Sequence, residues 1–230
     1  MKLLINEFFY EPINISEKVT YIVVEDPSVF FKMVKTINNQ VLNKPNVEEL
    51  FILLKNETKL DISKSIIMFS DILNFDINSK KIKNELIKKV EQDIQILNES
   101  RLLQINNLLL DYLEGLFSNY SINVNYIEKI ELGDLLKLFK LEVCNEDDSL
   151  LITLMNWMTS FTELTKIDTF LFVNLTTFLT QDELEQLDNY SKYNKVSIIL
   201  FENNCSNFEN NKSVNIIDKD LCHIITHKVV

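Results

Sequence analysis

The chain has 230 residues, of which 46% are hydrophobic and 25% charged, and its formal net charge is −11. Its length fits one domain or one domain with an insertion, and the strong negative charge argues against general affinity for nucleic acids. No apolar run approaches the roughly 18 residues of a transmembrane helix, and the N-terminus turns acidic too soon, at Glu7, for a secretory signal. We therefore expect a cytoplasmic protein without a membrane partner. Its three cysteines have no metal-like spacing, which predicts reduced thiols.

The first part of the chain has the pattern of an α/β protein. The apolar runs Met1–Phe9 and Val19–Val24 predict strands. Asp26 followed by Pro27 predicts the N-cap and first position of a helix that continues to about Gln40. Further short strands are expected at residues 50–54, 59–62 and 65–69.

The period of the apolar residues becomes helical between Ser79 and Phe117. One stripe has spacings of four, four, four and three and consists of Ile82, Leu86, Val90, Ile94 and Leu97. A break at residues 98–100 predicts that two successive helices cover this region. Alternation of polar and apolar residues at Ser121–Tyr126 predicts a local strand, and helical spacing returns from Leu132 to Phe139. These patterns predict a helical insertion, the leg, at residues 79–140.

The last third of the chain predicts a βαβ unit behind a helix at residues 149–164. Phe170–Leu175 and Val196–Glu202 are continuous apolar runs, which are typical of strands buried on both faces of a parallel sheet. Between them, Thr180 and Glu183 have the spacing of a capping box at the start of a helix. A final strand is predicted at residues 222–226. We therefore expect an α/β head with a mostly parallel sheet, formed by residues 1–78 and 141–230.

Glycine is nearly absent from the chain. Only Gly115 and Gly133 occur, and both lie in helix-like segments. A phosphate loop needs glycine so that backbone N–H groups can surround an anion. The sequence contains neither a phosphate-loop motif nor a dinucleotide-binding fingerprint, which predicts a core without a nucleotide cofactor.

Four segments, in order along nearly the whole chain, resemble one family: Val23–Phe30, Asp71–Ser79, Phe172–Thr180 and Ile199–Glu202. The chain resembles the ring-forming, DNA-end-binding accessory protein of type II-A CRISPR adaptation, in its short form. The resemblance implies a head like a phosphate-loop hydrolase core without its phosphate loop, and a non-enzymatic homotetrameric ring. It implies double-stranded DNA in a basic hole, with a preference for linear ends. It further implies a role in antiviral spacer acquisition beside the spacer integrase complex and the RNA-guided nuclease.

Lysines at the start and at the end of the predicted leg are candidates for DNA contact. Residues 32–93 contain eleven lysines and nine acidic residues, a net charge of +2, so the rest of the chain carries −13. Lysine side chains can contact DNA phosphates without sequence preference. The alternative is that they form the solvated face of an amphipathic helix. The candidates are Lys80, Lys81, Lys83, Lys88, Lys89, Lys137 and Lys140.

The resemblance also implies bound calcium near the junction of leg and head. Its candidate ligands here are Glu128, Glu131 and Asp134, which precede or begin the last leg helix. Asn123 and Asn125 stand where the family's pattern has acidic residues, and calcium affinity falls with the number of carboxylates. Alternatively, these acids stabilise the positive end of the helix dipole.

Two other classes of function remain open on the sequence alone. A metal-dependent nuclease or hydrolase would need carboxylates such as Asp168 and Asp182 to gather at strand ends. In such an enzyme, Glu25 and Asp26 would belong to a metal motif instead of a helix cap. The third class is an acidic scaffold that binds only proteins.

Overall fold

The computed structural model describes residues 1–72, 78–97, 99–122, 124–127, 129, 131–143, 149–204 and 213–226, with backbone only at 81, 94–97 and 99. The chain divides into two compact units. One unit is Met1–Phe75 with Asn145–Val230, and the other is Asp76–Cys144. From here on, head and leg denote these two units.

The strands of the described residues all belong to the head. They are β1 (Lys2–Ile5), β2 (Ile13–Asn14), β3 (Val19–Val24), β4 (Phe51–Lys55), β5 (Thr58–Leu60), β6 (Ile67–Phe69), β7 (Thr169–Val173), β8 (Ser197–Glu202), β9 (Val214–Ile217) and β10 (His223–Thr226). The helices are α1 (Pro27–Val41), α2 (Ile62–Ser65), α3 (Lys80–Leu97), α4 (Glu99–Phe117), α5 (Leu132–Leu138), α6 (Leu150–Thr165) and α7 (Gln181–Asn194). Helices α3, α4 and α5 form the leg. No helix in the described part of the chain is both long enough and apolar enough to cross a bilayer.

The larger sheet of the head has six strands in the order β10-β9-β3-β8-β7-β6. All neighbours pair in parallel except β10, which is antiparallel to β9. Every residue of β3, β7 and β8 is buried. The continuous apolar runs therefore form central strands covered on both faces, and the prediction of an α/β fold with a mostly parallel sheet is confirmed.

The predicted βαβ unit is present, with a short 3-10 turn at Leu175–Thr177 between β7 and α7. The Thr180 hydroxyl oxygen accepts a hydrogen bond from the backbone N–H of Glu183, and the Glu183 carboxylate accepts one from the backbone N–H of Thr180 at 2.8 Å. This reciprocal pair satisfies two N–H groups at the start of α7 that have no partner within the helix. The hydrogen bond from Thr180 also lowers the pKa of Glu183. The capping box read from the sequence is confirmed.

A second sheet of the head is antiparallel, with the order β2-β1-β4-β5. The predicted strand at Met1–Phe9 is shorter, because Glu7 has a φ of 73° and the backbone N–H of Phe9 donates back to the carbonyl of Ile5. The Gln40 side chain at the end of α1 donates to and accepts from the backbone of Phe51. This pair of bonds fixes α1 to the start of β4.

Helix α6 contributes the aromatic part of the head core. Trp157 is 3% exposed, and its ring meets Phe69 edge-on at 4.1 Å and Phe170 at 5.7 Å between centroids. Phe161 is also buried, and its ring lies 4.5 Å from that of Trp157. These contacts join α6 to β6 and β7 at the edge of the large sheet opposite β10.

The leg begins with α3 and α4. Helix α3 ends at Leu97 and α4 begins at Glu99, which agrees with the predicted break. The prediction of a strand at Ser121–Tyr126 is wrong, because its described residues, 121, 122 and 124–126, do not pair with another strand. Alternating side chains do not make a strand unless a neighbouring strand pairs with its N–H and C=O groups. The described part of the leg supplies no such strand, and Ile122 is 68% exposed.

Candidate nucleic-acid interface

The predicted DNA-contacting lysines begin on α3. Lys80 is the first residue of this helix and is exposed, while Ile82 is completely buried on the opposite side. Lys88 is exposed, and Lys83 and Lys89 are partly exposed. The side chain of Lys81 lies outside the described residues. Helix α3 is therefore amphipathic, and its described lysines reach solvent.

Three of these lysines form ion pairs inside the leg. Lys83 Nζ lies 2.8 Å from Glu142, Lys88 Nζ lies 2.7 Å from Glu85, and Lys137 Nζ lies 2.9 Å from Asp134. All six side chains keep between 31% and 65% of their surface exposed. Exposed ion pairs of this kind contribute little to stability and are screened by salt. A phosphate group can therefore replace each carboxylate as the partner of its lysine.

The pair Lys83–Glu142 joins segments that are 59 residues apart in the sequence. Asn78 holds the second segment in place, because its side chain donates to the Val143 carbonyl at 3.1 Å and accepts from the Val143 N–H at 2.7 Å. The hydrogen bond from Lys83 lowers the pKa of Glu142, and the charge of Lys140 adds to this effect. Lys140 follows α5 and is exposed. The structure thus brings Lys83 and Lys140 near one carboxylate within the leg.

Lys137 lies in acidic surroundings on α5. Its hydrogen bond to Asp134 raises the pKa of Lys137, and the charges of Glu91 and Glu131 contribute in the same direction. Glu91 belongs to α3, and its carboxylate lies against Gly133, so a side chain at this position would displace the flexible end of Glu91. The ammonium group of Lys137 stays charged at neutral pH.

The candidate calcium ligands are only partly described. Glu128 lies outside the described residues, Glu131 is exposed at the N-cap of α5, and Asp134 is bound to Lys137. Calcium takes six to eight oxygen ligands. In the described part of the chain, no three histidine, cysteine or acidic residues lie close enough together to hold a metal ion. The described residues do not complete a calcium site, and calcium binding stays a prediction.

The turn from β3 to α1 carries a carboxylate in place of a glycine loop. Asp26 Oδ1 accepts hydrogen bonds of 2.9 Å from the N–H groups of both Ser28 and Val29, and Pro27 has no N–H. The interpretation of Asp26 as a helix cap is therefore confirmed. A helix N-terminus binds phosphate through the same N–H groups. Here the chain's own carboxylate already occupies them.

The carboxylates required by the hydrolase alternative lie apart. Asp168 immediately precedes β7, whereas Asp182 lies in the first turn of α7, beyond the other end of that strand. The five residues of β7 alone span about 16 Å, at about 3.3 Å per residue. Asp168 and Asp182 therefore lie beyond opposite ends of this strand in the chain.

An apolar stripe on α4 is exposed in the single chain. Its residues have the helical spacing three, one, three and four, and they are Ile105 (47% exposed), Leu108 (68%), Leu109 (36%), Tyr112 (65%) and Leu116 (41%). A contiguous exposed apolar surface marks a site of association. The spacing of these residues is visible in the sequence, but their exposure depends on what the rest of the leg covers.

The comparison with protein families matches residues 43–221 to the family of the CRISPR-associated protein Cas_Csn2. The chain belongs to the Csn2 family. This membership confirms the resemblance to the accessory protein of type II-A CRISPR systems that the four sequence segments indicate.

Individual Csn2 proteins are similar to the chain over most of its length. The CRISPR-associated protein Csn2 of Streptococcus agalactiae is 24% identical over 201 residues, covering 84% of this chain and 85% of that protein. The protein of the same name from Enterococcus faecalis is 24% identical over 199 residues, with the same two shares. These names place the relatives in CRISPR systems and mention no enzymatic activity.

Proposed function

We propose that this Csn2-family protein is a non-enzymatic DNA-binding protein of spacer acquisition. Four copies assemble into a ring that encloses double-stranded DNA and loads from linear ends. The ring works beside the spacer integrase complex and the RNA-guided nuclease of the same system. The observation that carries this proposal is the leg itself, which presents exposed lysines on α3 and an exposed apolar stripe on α4.

The lysines support a contact with phosphates and not with bases. Lys83, Lys88 and Lys137 are held by carboxylates in solvent-exposed pairs, which is a geometry that DNA phosphates can take over. Such exchange gives affinity without sequence preference and releases counterions, so affinity falls steeply with salt. The acidic remainder of the chain repels DNA, which leaves the basic positions as the attractive ones.

The apolar stripe of α4 supports assembly through the leg. Stable obligate interfaces bury about 2,000 Å² or more and are largely apolar. Replacing Leu108 and Tyr112 together by serine should therefore reduce the mass of the assembly in light scattering. Replacing Tyr193 by serine is the matched control, because this tyrosine is 88% exposed but lies on α7 in the head. A monomeric wild-type protein at micromolar concentration would refute the ring.

The experiment that tests DNA threading is a competition between the circular and linear forms of one plasmid at several salt concentrations. A covalently closed circle has no end to thread, so it should compete poorly. Equal competition by both forms would refute threading, and salt-independent binding would refute the phosphate contacts. Cleavage of the plasmid with magnesium would favour the nuclease, and a complete lack of DNA binding would favour a protein-binding scaffold.

A further inference from the structure

Helix α4 has two apolar faces, and packing within the leg uses one of them. On the first face the ring of Phe117 lies 5.8 Å from that of Tyr126 between centroids. The side chains of this face are partly buried, and they are Leu102, Leu110, Leu113 and Phe117. The second face is the exposed α4 stripe. The two faces point in different directions, at about 100° per residue of helix, so packing within the described leg leaves the stripe in solvent.

The α4 stripe is nearly symmetric about its centre. This centre lies between Leu108 and Leu109, and Ile105 and Tyr112 lie at equal distances on either side of it. Two α4 helices in antiparallel contact about this centre place Leu108 against Leu109 and Ile105 against Tyr112. Each of these pairs joins two exposed apolar side chains. A two-fold contact needs such a self-complementary surface.

The charges of α4 favour the antiparallel direction. Arg101 is exposed and lies about one turn before Ile105, on the side of the stripe. Asp111 and Glu114 are exposed in the second half of the helix. A parallel pair would align each charge with the same charge of the other copy, and like charges repel. An antiparallel pair brings Arg101 to the acidic half of the other helix, whose C-terminal end also attracts a cation.

Gly115 provides space for this contact. A Cβ atom at Gly115 would meet nothing within 4 Å among the described residues, so the packing of the leg itself does not require a glycine here. Glycine also weakens a helix interior. Gly115 lies about two turns after Leu108 and on the same side of the helix. In the antiparallel pair, Arg101 of the other copy reaches the turn that contains Gly115, where the missing side chain leaves room for a guanidinium group.

We propose that α4 pairs antiparallel with α4 of a second copy of this chain, around a two-fold axis between Leu108 and Leu109. The two α4 stripes form the apolar centre of the contact, and Arg101 of each copy lies beside Gly115 of the other. This inference names the partner of the stripe and rests on the assembly through the leg proposed above. It requires two copies and does not depend on their closure into a ring.

Disulfide cross-linking tests the direction of the two helices. The variants are made in a chain whose native cysteines are replaced by serine, namely Cys144, Cys205 and Cys222. Leu108→Cys lies next to the axis and should cross-link two chains under mild oxidation. Ile105→Cys and Tyr112→Cys should each cross-link poorly alone, because each lies about 10 Å along the helix from its own copy. A disulfide needs Cα atoms about 4.4–6.8 Å apart.

The variant that carries both Ile105→Cys and Tyr112→Cys should cross-link two chains efficiently. These positions are too far apart within one helix to form an internal disulfide, at about 1.5 Å per residue. Leu103→Cys is the matched control. This leucine is 60% exposed but lies on the side of α4 opposite the stripe, so it should not cross-link.

Gly115→Leu tests the close approach of the two helices. The open space at this position lets the single chain accept leucine, so circular dichroism should show a folded protein. The added side chain should separate the two helices, so light scattering should show a lower mass than that of the wild type. Asn107→Leu is the matched control, because Asn107 is exposed on the opposite side of α4 and its replacement should leave the mass unchanged.

The outcomes separate this contact from the assembly itself. A wild-type monomer at micromolar concentration would overturn both. A wild-type oligomer in which Leu108→Cys does not cross-link would overturn only the α4 contact. Efficient cross-linking of Ile105→Cys alone and of Tyr112→Cys alone would indicate parallel helices and overturn the proposed direction. An unchanged mass in the Gly115→Leu variant would overturn the close approach at Gly115.

Discussion

Replacing the three ion-paired leg lysines, and separately replacing their carboxylate partners, should change DNA affinity in opposite directions. The first variant has glutamine at Lys83, Lys88 and Lys137, the three lysines of the ion pairs. It should lose the three proposed phosphate contacts per protomer. The second variant has Glu142→Gln, Glu85→Gln and Asp134→Asn. It frees the same ammonium groups from competing carboxylates, so it should bind DNA more tightly than the wild type.

The magnitude follows from counterion release. Each neutralised phosphate contributes about −0.9 to the slope of log affinity against log salt. Losing three contacts should therefore make the slope less steep by about 2.7 for each protomer that touches DNA. Between about 50 and 200 mM salt, the wild type should lose roughly 40-fold more affinity than the lysine variant, per contacting protomer.

Fluorescence anisotropy of a labelled linear duplex, titrated at several salt concentrations, measures both affinity and slope. The matched control is the pair Lys192–Asp188 on α7, which has the same 2.7 Å separation as Lys88–Glu85 but belongs to the head. Lys192→Gln should leave the slope unchanged. Two results would refute the assignment of these lysines to the DNA contact. One is an unchanged slope in the leg lysine variant, and the other is a carboxylate variant that binds DNA no more tightly than the wild type.

Three further predictions concern the head. Trp157→Ala should lower the free energy of unfolding by about 3–5 kcal/mol, because it leaves a cavity in the aromatic core between α6 and the sheet. Urea denaturation measures this free energy, and a loss below about 1 kcal/mol would contradict the prediction. Burial raises the pKa of Glu202, so the contribution of this residue to stability should be fully present below the unfolded pKa of 4.5 and be lost as pH rises through the folded pKa. Glu202→Gln should remove this loss in urea titrations at several pH values, and parallel profiles would count against it. Calorimetry should show no micromolar affinity for ATP, because Asp26 occupies the N–H groups at the start of α1; measurable micromolar binding would disprove this.

The central strands and the helix caps could be predicted because their causes are local. Continuous apolar runs identify β3, β7 and β8, and the spacing of Thr180 and Glu183 identifies the start of α7. Strand β9 was missed, because its four residues are interrupted by Asn215. This polar side chain is only 7% exposed, and it is tolerated because it donates to the Tyr21 carbonyl at 3.2 Å. A bond between residues so distant in sequence leaves no local pattern.

The features of the candidate interface also separate into those with local causes, which could be predicted, and those that depend on distant contacts. The lysines of α3 and the apolar stripe of α4 follow from helical spacing, and so do pairs such as Lys88–Glu85, three residues apart. The pair Lys83–Glu142 depends on how the leg closes on itself and could not be read from the sequence. The predicted strand at Ser121–Tyr126 failed for a related reason, since its pattern lacks a partner in the described leg.

The Asp26 cap has a consequence for movement. In a nucleotide hydrolase, the start of such a helix senses whether a phosphate is present, and that difference drives a change of shape. In this head the carboxylate is covalently part of the chain, so the same N–H groups have one partner at all times. The turn offers no alternation between a filled and an empty state. If the proposed ring moves along DNA, this turn supplies no phosphate-dependent change of shape to drive that movement.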